Sequence, residues 1–300
     1  MYAVEIKNLV KNFGDKVALS GLNMHVPVGS IYGFIGENGS GKSTTEKIIC
    51  GLIHPTSGTV KLFDRDYTDA NVRAKISVLI ELPGCFSNLT VWNNLSLQAK
   101  NLGLKNADEE IRKILQLVRM EGAAGNKYKN CSLGMKQRIG IAMALMGSPE
   151  LLVLDEPLNG LDADGMRIMR EVLTDLSKNG VTIIISSHLL NELEKVATHY
   201  GIIRSGKMIM EMTATELDNN CRRYVALKAK DIVIANDLLK LKYNRIELDE
   251  EGYLRIYDAE SVQETVRYLH EKGLNVSEIK SAKIGLEEYY IDLMNQKGIK

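Results

Sequence analysis

The chain has 300 residues, of which 45% are apolar and 25% charged, and its 38 basic residues balance its 38 acidic residues. This length and composition predict a globular protein with two domains and a substantial hydrophobic core. A formal net charge of zero argues against a general nucleic-acid-binding protein, which normally carries a basic excess.

Neither a membrane span nor a secretory signal is visible in the sequence. The longest apolar run, "IGIAMALMG", is well short of the ~18–20 residues that cross a bilayer. The N-terminal "MYAVEIKNLV" lacks the apolar core of a signal peptide. The four cysteines lie far apart, without metal-ligand or redox spacing. These features predict a cytoplasmic protein in a reducing compartment, which would need another chain to hold it at a membrane.

The predicted elements begin with short strands in residues 1–80: "AVEIKNLV", "VALSGLNMHV", "SIYGFIG", "TVKLFD" and "ISVLIEL". A helical region follows at about residues 88–147. One of its helices, "DEEIRKILQLVRM", places Ile111, Ile114, Leu115 and Val118 on a single face. Apolar strands such as "LLVLD" and "VTIIISS" then alternate with amphipathic helices, a pattern typical of a parallel sheet covered on both faces.

The character of the sequence changes near Asn219, where "LDNNCRR" is polar and poorly periodic. We therefore predict one domain over residues 1–217 and a small accessory α+β domain over residues 218–300. The second domain reads as strand, helix, strand, strand, helix and strand, followed by the helix "LEEYYIDLMNQ". This order is that of a ferredoxin-like unit.

The most specific motif is "GENGSGKST", Gly36 to Thr44, which fits the phosphate-loop pattern G-x-x-x-x-G-K-[ST] in full. An apolar strand precedes it and a predicted helix follows it, which argues against an ordinary glycine-rich turn. In such a loop the backbone N–H groups surround phosphate oxygens. Lys42 reaches the β and γ phosphates, and the Ser43 hydroxyl suits Mg²⁺.

The segment "LLVLDEP" supplies two acids at the end of an apolar strand. Asp155 suits Mg²⁺, directly or through water, and Glu156 can polarise a water that attacks the γ-phosphate. By itself, a strand followed by two acids is weak evidence for a hydrolysis site, since acids commonly end strands. Together with a phosphate loop in the same chain it is strong evidence.

Two further side chains have both a functional and a structural interpretation. His188 follows the apolar strand "IIISSH" and either hydrogen-bonds the γ-phosphate or its water, or is an ordinary histidine. Phe13, before the turn in "KNFGDKVAL", either stacks on adenine or belongs to the core. We favour the functional interpretation of each because of the motifs around them.

The segment "SLGMKQ" reads as a helix start, with Ser132 as its N-cap and Gly134 allowing close backbone approach. Its unpaired N–H groups and positive dipole end suit an anion. Residues 36–44 are a better phosphate-binding site in the same chain. The anion that binds "SLGMKQ" is therefore expected to be a different one.

Together the phosphate loop, "SLGMKQ", "LLVLDEP", "NGLD" and "SSH" resemble, in order and spacing, the ATP-binding subunits of ABC transporters. The resemblance covers roughly residues 1–217. It implies an α/β phosphate-loop cassette with a mixed sheet core and a helical subdomain at about residues 88–147. It also implies ATP and Mg²⁺ as cofactors, with hydrolysis coupled to transport.

In that family the signature loop contacts the ATP held by the other subunit of a head-to-tail dimer, so "SLGMKQ" would serve a partner chain. The partner would be an identical or a different ATP-binding subunit. The resemblance further implies a separate integral-membrane permease that holds the chain at the inner face of the cell membrane, and no nucleic acid.

The candidate residues fall into four sets. The catalytic set is Glu156 and His188, and the metal set is Ser43, Asp155 and Glu81. The ATP-binding set is Phe13, Gly36, Glu37, Asn38, Gly39, Ser40, Gly41, Lys42, Ser43, Thr44 and Glu81. The signature set, for the partner's ATP, is Ser132, Leu133, Gly134, Met135, Lys136 and Gln137. The dimer-seam set is Asn159, Gly160, Leu161 and Asp162.

Two departures from the general family pattern narrow the resemblance. Leu133 stands where the signature usually has glycine, and Glu81 stands where most members have glutamine. With the "PG…LT…NL" run and the final "GLEEYYIDLM", they resemble the branch of bacitracin-resistance and lantibiotic-immunity exporters. The narrower resemblance implies export of an antimicrobial peptide. Glu81 either acts near Mg²⁺ or is a solvated acid after a strand.

The alternatives are an ATPase subunit that exports unrelated cargo, a soluble ATPase acting on ribosomes or DNA, and a sensor. Soluble members usually carry two cassettes or a long coiled-coil insert, and this chain has one cassette and no heptad run. Trp92 and the apolar residues near it fit either the core of the helical region or a groove for a membrane subunit.

Overall fold

The computed structural model describes residues 1–80 and 84–296. The chain divides into two compact units, Met1–Ala214 and Thr215–Lys300. The division therefore falls after Ala214, close to residue 217, the predicted end of the first domain. Within the described residues, no helix is both long enough and apolar enough to span a membrane.

The first unit contains the strands and helices that the apolar patterns predict, together with a two-residue strand and a one-turn helix in residues 65–73 that they do not predict. Its strands are β1 (Tyr2–Phe13), β2 (Lys16–Pro27), β3 (Ile31–Ile35), β4 (Ser57–Leu62), β5 (Arg65–Asp66), β6 (Ile76–Leu79), β7 (Leu151–Asp155), β8 (Thr182–Ser186), β9 (His199–Arg204) and β10 (Lys207–Thr213). Its helices are α1 (Lys42–Ile49), α2 (Ala70–Arg73), α3 (Val91–Asn101), α4 (Ala107–Leu117), α5 (Leu133–Leu145), α6 (Ala163–Lys178) and α7 (Leu190–Leu193).

Two sheets form the core of this unit, which has the mixed architecture of a phosphate-loop cassette. The first is antiparallel, in the order β2-β1-β4-β5, and the second has the order β10-β9-β3-β8-β7-β6. In the second sheet β10 is antiparallel to β9, and all the other pairs are parallel. Every residue of β3 and β8 is buried, which explains why these strands are apolar throughout.

A partly buried polar network joins β10 to β2 and β3. The Tyr32 hydroxyl donates to Glu211 Oε1 at 2.7 Å, and Glu211 Oε2 lies 2.9 Å from His25 Nδ1. Burial, followed by the charge of Glu211, raises the pKa of Tyr32 well above its ordinary value. The phenol is therefore neutral at physiological pH and acts as a donor. The network supplies a hydrogen-bond partner for the hydroxyl of a tyrosine that is only 1% exposed.

The helical region lies between β6 and β7 and contains α3, α4 and α5. Ile111, Ile114, Leu115 and Val118 are all buried, which confirms the predicted apolar face of α4. Trp92, in α3, is partly exposed, and the Arg112 guanidinium lies 5.7 Å from its ring.

The second unit has the element order that the sequence predicts. The helix α8 (Ala214–Asn220) crosses the division, and β11 (Arg223–Ala229), α9 (Ile232–Lys240), β12 (Ile246–Leu248), β13 (Leu254–Ile256), α10 (Val262–Glu271), β14 (Val276–Lys283) and α11 (Leu286–Gln296) follow. The strands pair antiparallel in the order β12-β13-β11-β14. This is the split βαβ order of a ferredoxin-like sheet. Val225, Leu227, Leu239 and Leu269 contribute to its core.

The Gly201→Ala substitution is expected to destabilise the first unit. A Cβ on Gly201 would overlap the Tyr32 hydroxyl and lie 2.7 Å from Tyr32 Cζ. The tyrosine cannot withdraw without losing its bond to Glu211, so we expect a loss of about 1–3 kcal/mol in the free energy of unfolding. Urea unfolding followed by the fluorescence of Trp92, the single tryptophan, measures the loss.

The matched control is Gly122→Ala, since a Cβ on Gly122 meets no atom within 4 Å. This variant should unfold at the wild-type urea concentration. Equal stability of the two variants would contradict tight packing between Tyr32 and β9.

Candidate active site

The phosphate loop joins the buried strand β3 to helix α1 and requires glycine at several positions. Gly39 and Gly41 have φ angles of +79° and +115°, which side chains with a Cβ rarely adopt. A Cβ on Gly36 would lie 2.5 Å from the carbonyl oxygen of Ile203 and 2.6 Å from Ser40 Oγ. The loop can therefore curve with its backbone close to a ligand, as the motif predicts.

Lys42 places its positive charge inside this loop. Its ammonium group donates to the carbonyl oxygens of Gly36 at 2.6 Å and Glu37 at 3.1 Å. Lys42 is the first residue of α1, so the helix N-terminus adds its dipole to the ammonium charge. Both favour a bound phosphate.

The loop opens into a pocket of about 510 Å³. Its lining combines the phosphate loop, one aromatic ring and two acids: Phe13, Lys16, Ala18, Asn38, Gly39, Gly41, Lys42, Ser43, Thr44, Asp155 and Glu156. The Phe13 side chain is 49% exposed, and the Lys11 ammonium lies 4.8 Å from its ring centroid. The structure therefore places Phe13 at the pocket and outside the core.

Asp155 and Glu156 reach the pocket because β7 ends there. Asp155 pairs in register with Ser186 of β8, whose hydroxyl donates to Asp155 Oδ1 at 2.7 Å. Glu156 has a φ angle of +50°, a left-handed conformation that costs a non-glycine residue about 1–2 kcal/mol. Its N–H donates to Ser186 O at 3.1 Å, which holds this conformation. Such strain is commonly found at functional sites.

His188 meets Glu156 beside the pocket. Its Nδ1 lies 2.8 Å from Glu156 Oε2, and its backbone N–H donates to the same oxygen at 3.4 Å. The side chain of His188 is 56% exposed, against 28% for Glu156. An imidazole with this contact can orient the carboxylate and still present its other nitrogen to a ligand.

Ser186 lies in the "SSH" segment, but the sequence analysis assigned a role there only to His188. Its hydroxyl donates to Asp155 and also accepts the N–H of Glu156 at 3.3 Å. It therefore joins the two acids that the sequence singled out. Its sequence signals were its place in the "SSH" segment and at the end of an apolar strand, and neither tells which group its hydroxyl contacts.

Glu46 was also missed, and it is the most unusual group near the pocket. Its side chain is fully buried on α1, and neither carboxyl oxygen has a hydrogen-bond partner. Burial above all, and next the negative charge of Asp155, raise the pKa of Glu46 to about 8. The Ser186 hydroxyl and Lys42 oppose this rise. The carboxyl group is therefore mainly neutral at pH 7.

The signature segment starts α5 and lies against the predicted dimer seam. Ser132 is its N-cap and accepts the Met135 N–H at 3.3 Å, while Gln137 Nε2 donates to Asn159 O at 3.0 Å. A Cβ on Gly160 would lie 2.7 Å from Leu133 Cδ2, so the two segments touch. Within the described part of the chain, no residue of 132–137 lines the pocket.

Oxygen ligands for a hard cation are present, since Ser43 and Asp155 line the same pocket. Mg²⁺ prefers one or two protein oxygens together with phosphate and water, so these two residues fit it. The described residues contain no cluster of three or more His, Cys, Asp or Glu side chains that would hold a metal by itself. Glu81 lies outside the described residues.

A phosphate loop and two strand-end acids on one pocket, with a histidine bonded to the second acid, define a phosphate-loop nucleoside-triphosphatase. The family model "ABC transporter" matches residues 19–159. The bacitracin transport ATP-binding protein BcrA of Enterococcus faecalis is 39% identical over 99% of this chain and 98% of its own. The lantibiotic transport ATP-binding protein SrtF of Streptococcus pyogenes is 41% identical over 69% of this chain and 90% of its own.

Among solved structures, cbiO1 of Clostridium perfringens, part of the ABC transporter complex cbiONQ, superposes with a TM-score of 0.68. It is 27% identical and covers 73% of this chain and 91% of its own. The chain thus belongs to the ABC transporter ATP-binding family, and it is an ATP-binding subunit with the ATPase fold.

The stability of the first unit should fall as the pH rises through the range set by Glu46. The folded carboxyl has a pKa of about 8 against an ordinary 4.5, so between these values the folded chain binds more protons than the unfolded chain. The free energy of unfolding then falls by up to about 1.4 kcal/mol per pH unit as the pH rises, and the loss is complete above the folded pKa.

The Glu46→Leu variant carries no such proton, so its stability relative to the wild type should increase from about pH 5 to about pH 8.5. Urea unfolding followed by Trp92 fluorescence at both pH values gives this difference. A difference that does not change with pH would show that Glu46 does not titrate in the folded chain.

Proposed function

We propose that this chain is the motor subunit of an exporter, binding ATP with Mg²⁺ and hydrolysing it between two chains. The observation that carries the proposal is the contact of His188 with Glu156 beside a pocket that also contains the phosphate loop and Asp155. A nucleotide-binding module without hydrolysis would not need an oriented carboxylate at that place.

The roles of the side chains follow from their positions. Lys42 and the loop N–H groups bind the phosphates, and the exposed ring of Phe13 offers a stacking surface for adenine. Glu156 accepts the proton of the attacking water, and His188 orients Glu156. Ser43 and Asp155 would hold Mg²⁺, which supplies charge neutralisation at the β and γ phosphates.

The signature segment would complete the site of a partner chain. The helix start at Ser132 offers N–H groups to an anion, yet the lining of the chain's own pocket includes no residue of 132–137 among those described. Both features support a head-to-tail dimer with residues 159–162 at the seam. Two copies of this chain, or this chain and a related subunit, would form it.

The cargo that we propose is an antimicrobial peptide of the bacitracin or lantibiotic type, exported through a separate membrane permease. Its support is the near full-length similarity to a bacitracin transport ATP-binding protein and the similarity of the cassette to a lantibiotic transport ATP-binding protein. The chain would then work in the cytoplasm, at the inner face of the membrane, where the permease holds it.

The Glu156→Gln variant tests hydrolysis. The amide cannot accept a proton, while the phosphate contacts of Lys42 and the loop are untouched, so turnover should fall at least about 100-fold with ATP affinity retained. An ATP-bound dimer should accumulate, which light scattering with ATP and Mg²⁺ detects. Turnover at the wild-type rate would contradict the assignment of Glu156.

The same variant tests the cargo in cells. Coexpressed with its permease in a sensitive host, the wild-type chain should confer resistance to a bacitracin- or lantibiotic-type peptide, and Glu156→Gln should not. If the wild-type chain hydrolyses ATP but confers no resistance to either peptide class, the proposed motor function stands and the proposed cargo is wrong.

Mixing two inactive variants tests the shared site. Lys42→Ala removes the charge on the phosphates, and Ser132→Glu places a negative charge where the partner's ATP would bind. Each variant alone should be inactive, but a mixed dimer contains one site with neither change. Mixing should therefore restore part of the ATPase rate. A mixture as inactive as its components would count against sharing of the site between chains.

A further inference from the structure

The sheet of the second unit has one long edge strand, β14. In the order β12-β13-β11-β14 it pairs with β11 alone, and this pairing is regular over residues 278–283. The strand has eight residues, against three in β12 at the opposite edge. In the described part of the chain, residues 278–282 form no backbone hydrogen bond outside the pairing with β11. Alternate N–H and C=O groups of β14 are therefore open to a further strand.

Two opposite charges flank an isoleucine in this strand. Glu278 and Lys280 are exposed, and Ile279 between them is partly buried and packs against the core of the unit. Among the described residues Glu278 forms no ion pair, since Lys228, which lies opposite it in β11, has its ammonium group 4.0 Å from the ring centroid of Tyr253. Lys280 forms no ion pair within the same residues either, and its ammonium group lies 4.4 Å from the same ring centroid. Both charges are therefore available to a group outside the chain.

A second copy of β14 offers the matching order of charges. When two identical strands pair antiparallel around a two-fold axis perpendicular to the sheet, each side chain keeps its face, so one residue must lie opposite its own copy. With Ile279 at that position, Glu278 of each copy lies opposite Lys280 of the other, and the two isoleucines meet on the core face. With Glu278 or Lys280 there, like charges would face each other. With Ser281 there, neither charge would meet its opposite. The order of charges thus selects one register.

We propose that the second unit dimerises through β14, which pairs antiparallel with β14 of a second copy of this chain and joins the two four-stranded sheets into one continuous sheet. One pair of strands buries a small area, so the dimer is weak and in equilibrium with the monomer. It needs no nucleotide. It is therefore distinct from the head-to-tail dimer of the proposed function and does not depend on that proposal.

Reversal of the two charges tests the pairing. Sedimentation equilibrium of the full chain, with EDTA and without nucleotide, measures the dissociation constant of the dimer. Glu278→Lys and Lys280→Glu each replace both ion pairs with pairs of like charge, so each variant should dimerise about tenfold more weakly than the wild type. The double variant exchanges the charges and forms both ion pairs again, so its dissociation constant should return to within about threefold of the wild-type value.

A mixture of the two single variants tests the contact between copies directly. One variant carries two lysines beside Ile279 and the other carries two acids, so a mixed dimer contains two ion pairs. The mixture should therefore dimerise more tightly than either variant alone. Glu250→Lys is the matched control, because Glu250 is exposed in the turn between β12 and β13, at the opposite edge of the sheet. The same change of charge there should leave the dissociation constant unchanged.

Cysteine cross-linking tests the register. The two copies of residue 279 would face each other with their Cβ atoms about 5 Å apart, whereas the two copies of residue 281 would lie about 13 Å apart. Oxidation by diamide should therefore link Ile279→Cys chains through a disulfide much faster than Ser281→Cys chains. The wild-type chain, with its four cysteines, gives the background rate.

Each result decides the proposal. A wild-type chain that sediments as a monomer without nucleotide would overturn it, and so would single variants that dimerise as tightly as the wild type. A double variant as weak as the single variants would show that the charges act within one sheet and not between two copies, which contradicts the proposal. Faster linking of Ser281→Cys than of Ile279→Cys would contradict the register. These measurements involve no ATP, so a failure here is distinct from a failure of the proposed function.

Discussion

The parallel pairing of β3, β8 and β7 is the constraint on which the site depends. Phe34 pairs with Ser186, and Ser186 pairs with Asp155, so the three strands end at one edge of the sheet. The phosphate loop, the two acids and His188 all follow directly from these strand ends. A slip of one residue in any pair would turn the side chains to the opposite face and separate the groups.

Three acids, Asp155, Glu156 and Glu46, lie near this edge, and each has a different environment. Asp155 is held by the Ser186 hydroxyl, and Glu156 is held by His188. Glu46 has neither, and its burial raises its pKa so that it is mainly neutral. A third carboxylate beside Asp155 would repel it strongly in a buried region, where charge interactions are little screened. The raised pKa of Glu46, which leaves its carboxyl group mainly neutral, lowers this repulsion.

The signature segment and the residues after Glu156 form one continuous surface in this chain. Gln137 bonds to the backbone of Asn159, and Leu133 packs against Gly160. In the general family pattern a glycine stands where this chain has Leu133, and the leucine side chain is 40% exposed. The leucine therefore adds an apolar contact within this surface and leaves the N–H groups of the helix start, which Ser132 caps, in place.

The amino-acid sequence by itself determined the strands, the helices and the main groups of the site. The apolar runs predicted β3, β7 and β8, the face of α4 was read from its periodicity, and the pattern from Gly36 to Thr44 predicted the loop. These features are local, because a few consecutive residues set the backbone conformation and the direction of each side chain.

Only the tertiary structure decided what Ser186 and Glu46 contact. Ser186 lies 31 residues from Asp155 along the chain, and Glu46 lies in the helix after the phosphate loop, far from both in sequence. In the sequence Ser186 is a polar residue at a strand end, and Glu46 is one acid in a helix with no unusual neighbours. Burial, unpaired oxygens and a raised pKa arise only when distant segments pack together, since they depend on which atoms surround a side chain rather than on which residues flank it.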